Sequence, residues 1–314
     1  MSRAVTPMGM LVLPASAPRE QWLAARRHGI TATDIAKIVG VSPYGDAIDT
    51  YLDKRAATDD TGPGEAAHWG QLLEDQVARE WARRNTARVR RVGLLRHRNH
   101  PRHMASCDRL TDAREVLEVK TRSAFVGWDD GIPERVTVQT QWQLHVTGLS
   151  VAHVAALVGG QRLEQFTVTR DDTLIAYLAD EADRVWECVE AGRMPEVALG
   201  EARIESLNRA FPNRAGAVDL DPADADEWAG AYRDAAAREK TAKADKDRAK
   251  AALVQMLGGA EEGLVGGRTL CTYRAGKPTV AVPAARARAL LEDHPDIAAQ
   301  YVEGKAPTRT FRLA

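Results

Sequence analysis

The sequence predicts an α/β protein. Helical periodicity runs through most of the first 84 residues, the apolar spacing then switches to period 2, and two hairpin signals follow with a further helix between them. At 314 residues the chain holds one large domain or two modest ones. Its 44% hydrophobic and 28% charged composition belongs to a globular protein, and no apolar run approaches the roughly 20 residues that carry a helix across a bilayer. Disorder and helical membrane spanning are excluded on these grounds.

Each element has a local reason. Ser16, Pro18 and Glu20 open a helix predicted over Gln21 to His28 and ended by Gly29; a second, Thr33 to Val39, stops at Gly40. The chain turns around Ser42 to Gly45, is helical from Ala47 to Arg55, and loops through Thr61 to Gly64. Trp69, Leu73, Val77 and Trp81 recur at helical spacing and predict one amphipathic helix from Glu65 to Arg84. His103 to Leu110 and Val116 to Thr121 read as strands around a loop at residues 111–115. Pro133 precedes a helix that runs to Thr147 and closes at Gly148, and Val151 to Val158 pairs with Leu163 to Thr169 across Gly159 and Gly160. Asp172 to Ala191 is an acidic helix with Leu174, Leu178, Val185, Trp186 and Val189 on its apolar side. Beyond residue 212, the Ala-rich, charged stretch from Pro222 to Leu257 predicts an exposed helical arm broken by Gly258 and Gly259. A strand at Leu270 to Tyr273, a helix from Pro283 to Tyr301 and a strand at Thr310 to Leu313 complete a small α+β appendix.

The formal net charge of −1 gives no hint of a nucleic-acid partner. Its distribution does. Residues 79–103 carry nine Arg against Glu80, whereas residues 171–201 carry nine carboxylates against Arg184 and Arg193. The total is a cancellation of opposed runs. Cys107, Cys188 and Cys271 stand far apart without a CxxC pair, so neither a disulfide framework nor a zinc ribbon is expected. The apolar stretch Met8 to Leu13 is too short for a signal peptide, and a cytoplasmic location is expected.

Chemistry concentrates around Val116 to Lys120. On a strand, Leu117 and Val119 point to one face while Glu118 and Lys120 share the other. With the preceding loop centred on Ala113, the residue opposite Glu118 is Asp108. Glu74 lies on the same helical stripe as Val77, Ala78 and Trp81, so a third carboxylate turns inward. Carboxylates this close call for a hard cation between them, and an all-oxygen donor set suits Mg²⁺ or Mn²⁺. Lys120 beside such a metal, with Gln139 and Gln141 on the following helix, fits alignment of a water nucleophile on a phosphodiester. An ExK triplet alone recurs by chance; the conjunction of these residues carries the inference.

Taken together, these stretches resemble a known family. Residues 22–34 (Trp22, Arg26, Thr33 and Asp34), 39–44, 69–74, 105–110, 117–120 and 139–148 are similar, in order and spacing, to the lambda-exonuclease or YqaJ-type viral recombinase nucleases of the PD-(D/E)XK superfamily. The resemblance covers Trp22 to Val168. It implies a restriction-endonuclease-like core with a mixed central sheet flanked by helices over residues 1–212; the arm at 213–257 and the appendix at 258–314 fall outside the motif-bearing region. It implies that Glu74, Asp108, Glu118 and the Val119 carbonyl hold one or two Mg²⁺ (or Mn²⁺) ions, that Lys120 orients or deprotonates the attacking water, and that Gln139 or Gln141 steadies the site. Arg26 and Thr33 match positions that grip a 5′-terminal phosphate, a role suited to a guanidinium fork. Where relatives often read Pro-Asp-Gly, this chain has Cys107, Asp108 and Arg109, and Arg109 is expected to contact substrate.

The implied activity is metal-dependent hydrolysis of DNA, running 5′ to 3′ from double-strand ends and leaving 3′ single strands for phage-type recombination. A structure-selective or restriction-type endonuclease and a non-catalytic DNA-binding recombination subunit are the alternatives. Implied partners are duplex DNA ends, a single-strand annealing protein and further copies of the chain, a trimeric ring among the possibilities. Trp69, Trp81 and Trp142 are expected in the core by their helical spacing. His97, His100 and His103 lack a cysteine or acidic partner at ligand spacing and stand among arginines, so they are read as phosphate contacts or exposed surface.

Overall fold

The computed structural model describes residues 4–55, 64–123, 128, 131–198, 200–211, 216–276 and 284–296. The chain separates into two units, Met1–Arg214 and Ala215–Ala314.

The first unit opens with strand β1 (Gly9–Leu13), then α1 (Arg19–Arg26), α2 (Ala32–Ile38), α3 (Ala47–Arg55) and α4 (Glu65–Arg84). Strands β2 (Val89–Arg90), β3 (Leu94–His97), β4 (Met104–Ser106), β5 (Arg109–Thr111) and β6 (Val116–Arg122) follow. Helix α5 (Glu134–Thr147) leads to the β7 (Val151–Val158) and β8 (Arg162–Thr169) hairpin, then to α6 (Asp172–Ala191) and α7 (Ile204–Ala210). The bounds of α3, α4 and α6 are those the periodicity predicts. Helices α1 and α2 begin and end a residue or two earlier than predicted. In α2 the reason is a capping box, with Asp34 reaching back to the Thr31 N–H.

The central sheet has strand order β2-β5-β6-β7-β8; β6 and β7 run parallel and the other pairs antiparallel, so it is mixed. Helix α5 makes the crossover that a parallel neighbour requires. Both faces of β6 are covered: Leu117 and Val119 pack with Val77, Ala78 and Trp81 of α4, while Val116 packs with Val136 and Leu144 of α5. A second antiparallel sheet, β1-β3-β4, packs Leu95 and Ala105 against Trp142, Ile30 and Leu178.

The predicted strand His103 to Leu110 is in fact two strands. The chain leaves the three-stranded sheet at Ser106 and enters the five-stranded sheet at Arg109, with Cys107 and Asp108 between. Strands β1 to β3 and helix α7 were not predicted; β1 lies in the apolar stretch Met8 to Leu13, and β2 and β3 lie inside the basic run. Trp81 and Trp142 are buried, but Trp69 is 53% exposed and belongs to no core cluster. It sits on the first turns of α4, where that helix has no buried residue before Val77.

The second unit holds α8 (Pro222–Leu257), a hairpin of β9 (Glu262–Val265) and β10 (Arg268–Thr272), and α9 (Ala284–Asp293). Helix α8 has the predicted bounds, is capped by Asp221, and buries no residue. Strand β9 was not predicted, and the strand expected at Thr310 to Leu313 lies outside the described residues. The three cysteines are free, and no helix among the described residues is long and apolar enough to cross a membrane.

Candidate active site

The β5–β6 register decides what meets at the centre. Arg109 pairs with Leu117 and Leu110 with Val116, so extending the ladder by one places Asp108 opposite Glu118. The main chain fixes the pair: the Val119 N–H donates to Asp108 Oδ2 at 2.7 Å. Glu118 is buried, and its two oxygens have separate partners. Lys120 Nζ donates to Oε1 at 2.5 Å, and Gln143 Nε2 donates to Oε2 at 2.7 Å.

The electrostatics follow from this crowding. Burial, and then the Glu118 and Glu74 carboxylates, push Asp108 well above the ordinary carboxylate range, against the opposing effects of Lys120 and the Val119 N–H. Burial alone would lower the Lys120 ammonium, but Glu118 and Asp108 outweigh it and hold Lys120 above the usual lysine value. Glu118 is thus paired with Lys120 and Glu74 with Arg109, while Asp108 has no ion-pair partner among the described residues.

A hollow of about 170 Å³ is lined by Asp108, Glu118, Lys120 and Gln143, and by Gln139, Arg26 and Thr33. Glu74 lines an adjoining hollow of about 330 Å³ that also reaches Asp108 and shares Trp22 and Ser106. Arg26 stacks over the Trp22 ring at 4.8 Å and donates weakly to Thr31 Oγ1 (3.3 Å) and Asp34 Oδ1 (3.4 Å). Behind it, buried Lys54 donates to Asp34 Oδ2 at 2.6 Å and to the Arg26 carbonyl at 3.0 Å. Burial would raise Asp34, but Lys54 and Arg26 hold it well below the ordinary range, so a fixed carboxylate braces the Arg26 side chain. Thr33 is exposed on the first turn of α2, beside Arg26 at the same hollow.

Two expectations need correction. Arg109 does not face substrate: its side chain is 3% exposed and donates to Glu74 (2.5 Å), Asp75 (3.0 Å) and the Asp108 carbonyl (2.5 Å). Strand parity is the reason, since neighbours alternate faces and Asp108 already points to the α5 side. Arg109 instead ties α4 to the backbone of the acidic strand. Nor does Gln141 reach the site; it donates to the Thr169 carbonyl and accepts from the Asp171 N–H, anchoring the start of α6. The glutamine on Glu118 is Gln143, which the sequence reading missed. The signal was available: Gln139 and Gln143 are four apart and share a helix face, whereas Gln141 lies two residues off on the opposite side.

The donor set fits a hard divalent cation. Asp108 and Glu118 offer only oxygens to their hollow and Glu74, paired with Arg109, lines the adjoining one; Asp108 is disfavoured as a carboxylate without added positive charge, and buried Gln143 Oε1 has no hydrogen-bond partner among the described residues.

The histidines also differ from expectation. His97 and His103 are buried rather than exposed, and His103 Nε2 lies 3.0 Å from Asp183 Oδ1, an acidic partner that sequence spacing did not reveal.

Residues 21–150 match the YqaJ-like viral recombinase domain. The protein YqaJ of Bacillus subtilis (strain 168) is 34% identical over 202 residues, which cover 62% of this chain and 63% of YqaJ; the chain thus spans less than two thirds of that relative. Among solved structures, an alkaline exonuclease from Laribacter hongkongensis aligns with a TM-score of 0.47 and 21% identity, covering 62% of this chain and 98% of that one. A phage-related exonuclease from Haemophilus somnus 129PT aligns at 0.43 and 11%, covering 52% and 94%.

Proposed function

We propose that this chain, whose residues 21–150 match the YqaJ-like viral recombinase domain, is a metal-dependent DNA exonuclease that degrades duplex ends 5′ to 3′ and leaves 3′ single strands for recombination. One observation carries the reading: a single hollow brings Asp108, Glu118, Lys120 and Gln143 together with Arg26 and Thr33. Hydrolytic and end-recognising groups thus face one space.

In this reading Asp108, Glu118 and Glu74, with the Val119 carbonyl, hold Mg²⁺ or Mn²⁺. The ion supplies charge neutralisation at the phosphodiester and a more acidic water. Lys120, as an ammonium fixed on Glu118, orients the attacking water and faces the developing negative charge. Gln143 holds Glu118 from the other side and keeps its carboxylate plane set. Arg26 and Thr33 take the 5′-terminal phosphate by charge-assisted and hydroxyl hydrogen bonds.

End recognition gives the direct test. A charge-assisted contact is worth about 1.5–3 kcal/mol, so Arg26→Ala is expected to lower kcat/KM on 5′-phosphorylated linear duplex by roughly 10–150-fold. The same variant is expected to leave the rate on 5′-hydroxyl ends close to wild type. Equal cutting of circular and linear duplex by the wild type would instead show an endonuclease. The two glutamines provide an internal contrast. Gln143→Ala is expected to slow digestion roughly 10–100-fold, the usual cost of removing an outer partner of a metal ligand. Gln141→Ala lowers the unfolding midpoint in urea and leaves the rate intact.

A further inference from the structure

Outside the carboxylate hollow, a group of metal-ligating side chains among the described residues lies where the turn between β3 and β4 meets α6. His100 and His103 come from the turn and Asp183 from the helix, and their donor atoms all lie within 4.8 Å of one another. The geometry points to a site here for one zinc-class divalent ion, with His100, His103 and Asp183 as ligands and a fourth position open to water.

The arrangement is specific. The His100 and His103 rings stack at 4.8 Å and 7° and both approach one carboxylate: His103 Nε2 is 3.0 Å from Asp183 Oδ1, and His100 Nδ1 is 4.0 Å from Oδ2. A hydrogen bond accounts for the first distance. It does not account for His100, which stands outside hydrogen-bond reach yet parallel to its neighbour. Nitrogen and oxygen ligands about 2.0–2.1 Å from zinc sit about 3.3 Å apart at tetrahedral angles, so the His103–Asp183 pair needs to open by only about 0.3 Å. The His100 ring, on an exposed turn, closes the rest.

His103 is itself oriented from behind. Its ring is fully buried, and its Nδ1 lies 2.9 Å from His145 Nε2 on α5. In the tautomer that donates Nδ1–H to His145, Nε2 and the carboxylate direct lone pairs into one gap, an arrangement that asks for a cation. A ligand histidine whose other ring nitrogen is hydrogen-bonded is the usual construction of a metal site. Neither neighbouring arginine is paired with Asp183: Arg102 pairs with Glu190 at 3.3 Å and stacks on Trp186 at 4.8 Å, and Arg184 pairs with Glu181 at 2.6 Å. Imidazole nitrogens with one carboxylate select zinc-class ions over Mg²⁺, so the donor chemistry differs from that of the nuclease hollow. Because the two donor sets share no residue, the zinc site stands or falls independently of the nuclease reading.

The test is a titration of the full chain, stripped with chelator, with Zn²⁺ in competition with a chromophoric chelator, alongside thermal melts. Wild type is expected to bind one equivalent that raises Tm, and the Asp108→Asn/Glu118→Gln double variant is expected to retain it. His100→Ala and Asp183→Ala, both at solvent-exposed positions, are expected to weaken that equivalent at least tenfold and to erase the Tm response. Zinc affinity unchanged in those two variants, loss of the equivalent in the double carboxylate variant, or no stoichiometric binding by wild type would each overturn the site.

Discussion

Lys120→Met is expected to slow digestion of linear duplex by roughly 10²–10⁴-fold, the range for removing a positioned group that handles the proton or charge of the reacting water. The ammonium bonds Glu118 at 2.5 Å and is held charged by Glu118 and Asp108, so its loss removes the cation that the proposed mechanism sets against the scissile phosphate. Single-turnover rates with enzyme in excess isolate this step from product release. The affinity for DNA ends, measured by anisotropy, is expected to change little, because the substitution leaves Arg26 and Thr33, the proposed end-binding pair, in place. A Lys120→Met enzyme digesting at the wild-type rate would remove the lysine from the mechanism.

Asp108→Asn is expected to make the metal-free protein more stable at neutral pH while reducing digestion by more than ~10²-fold, beyond the roughly 10–100-fold typical of an outer partner. The sign follows from linkage. Burial and the Glu118 and Glu74 charges raise Asp108 in the folded state above its unfolded value. The folded form therefore binds the proton more tightly; that contribution is fully present below the unfolded pKa, about 3.9, and is lost as pH rises through the folded pKa. In EDTA, wild-type Tm is expected to fall relative to Asp108→Asn as pH increases and to converge with it near pH 4. Asparagine can still accept the Val119 N–H through its side-chain oxygen, so the strand contact survives. Mg²⁺ is expected to restore stability to wild type and not to the variant. A variant less stable than wild type throughout the pH range would contradict the charge account.

Much of this arrangement was legible because it is written in local periodicity. The pairing of Asp108 with Glu118 followed from loop length alone, and the β5–β6 register agrees with it. The long helix carrying Glu74 followed from apolar spacing, and its bounds hold. What sequence could not supply was nonlocal. The break at Cys107 and Asp108 arises because two sheets compete for one segment, a tertiary outcome that strand propensity does not encode. Asp183 reaches His103 across 80 residues, through the packing of α6 against α5 and α2. Arg109 and Gln143 were readable in principle. Strand parity puts Arg109 beside Leu117, and helical phase separates Gln143 from Gln141.

The opposed charge runs partly neutralise each other in space. Arg102 meets Glu190, so part of the basic segment faces the acidic helix. Arg88, Arg90, Arg91 and Arg98 remain exposed, and Arg91 borders the hollow lined by Glu74 and Asp108. The cations free to meet a phosphate backbone are thus fewer than the nine in the run.

The Val119 anchor of Asp108 is a peptide N–H, and every amino acid except proline brings the same donor. Position 119 can therefore exchange one apolar side chain for another without touching the acidic pair, and a saturation scan would record it as a place where only bulk and greasiness matter. The information that holds Asp108 in place is stored in the pairing of two strands rather than in any letter at 119. Genetic variation at that codon is consequently silent about one of the contacts on which the site depends.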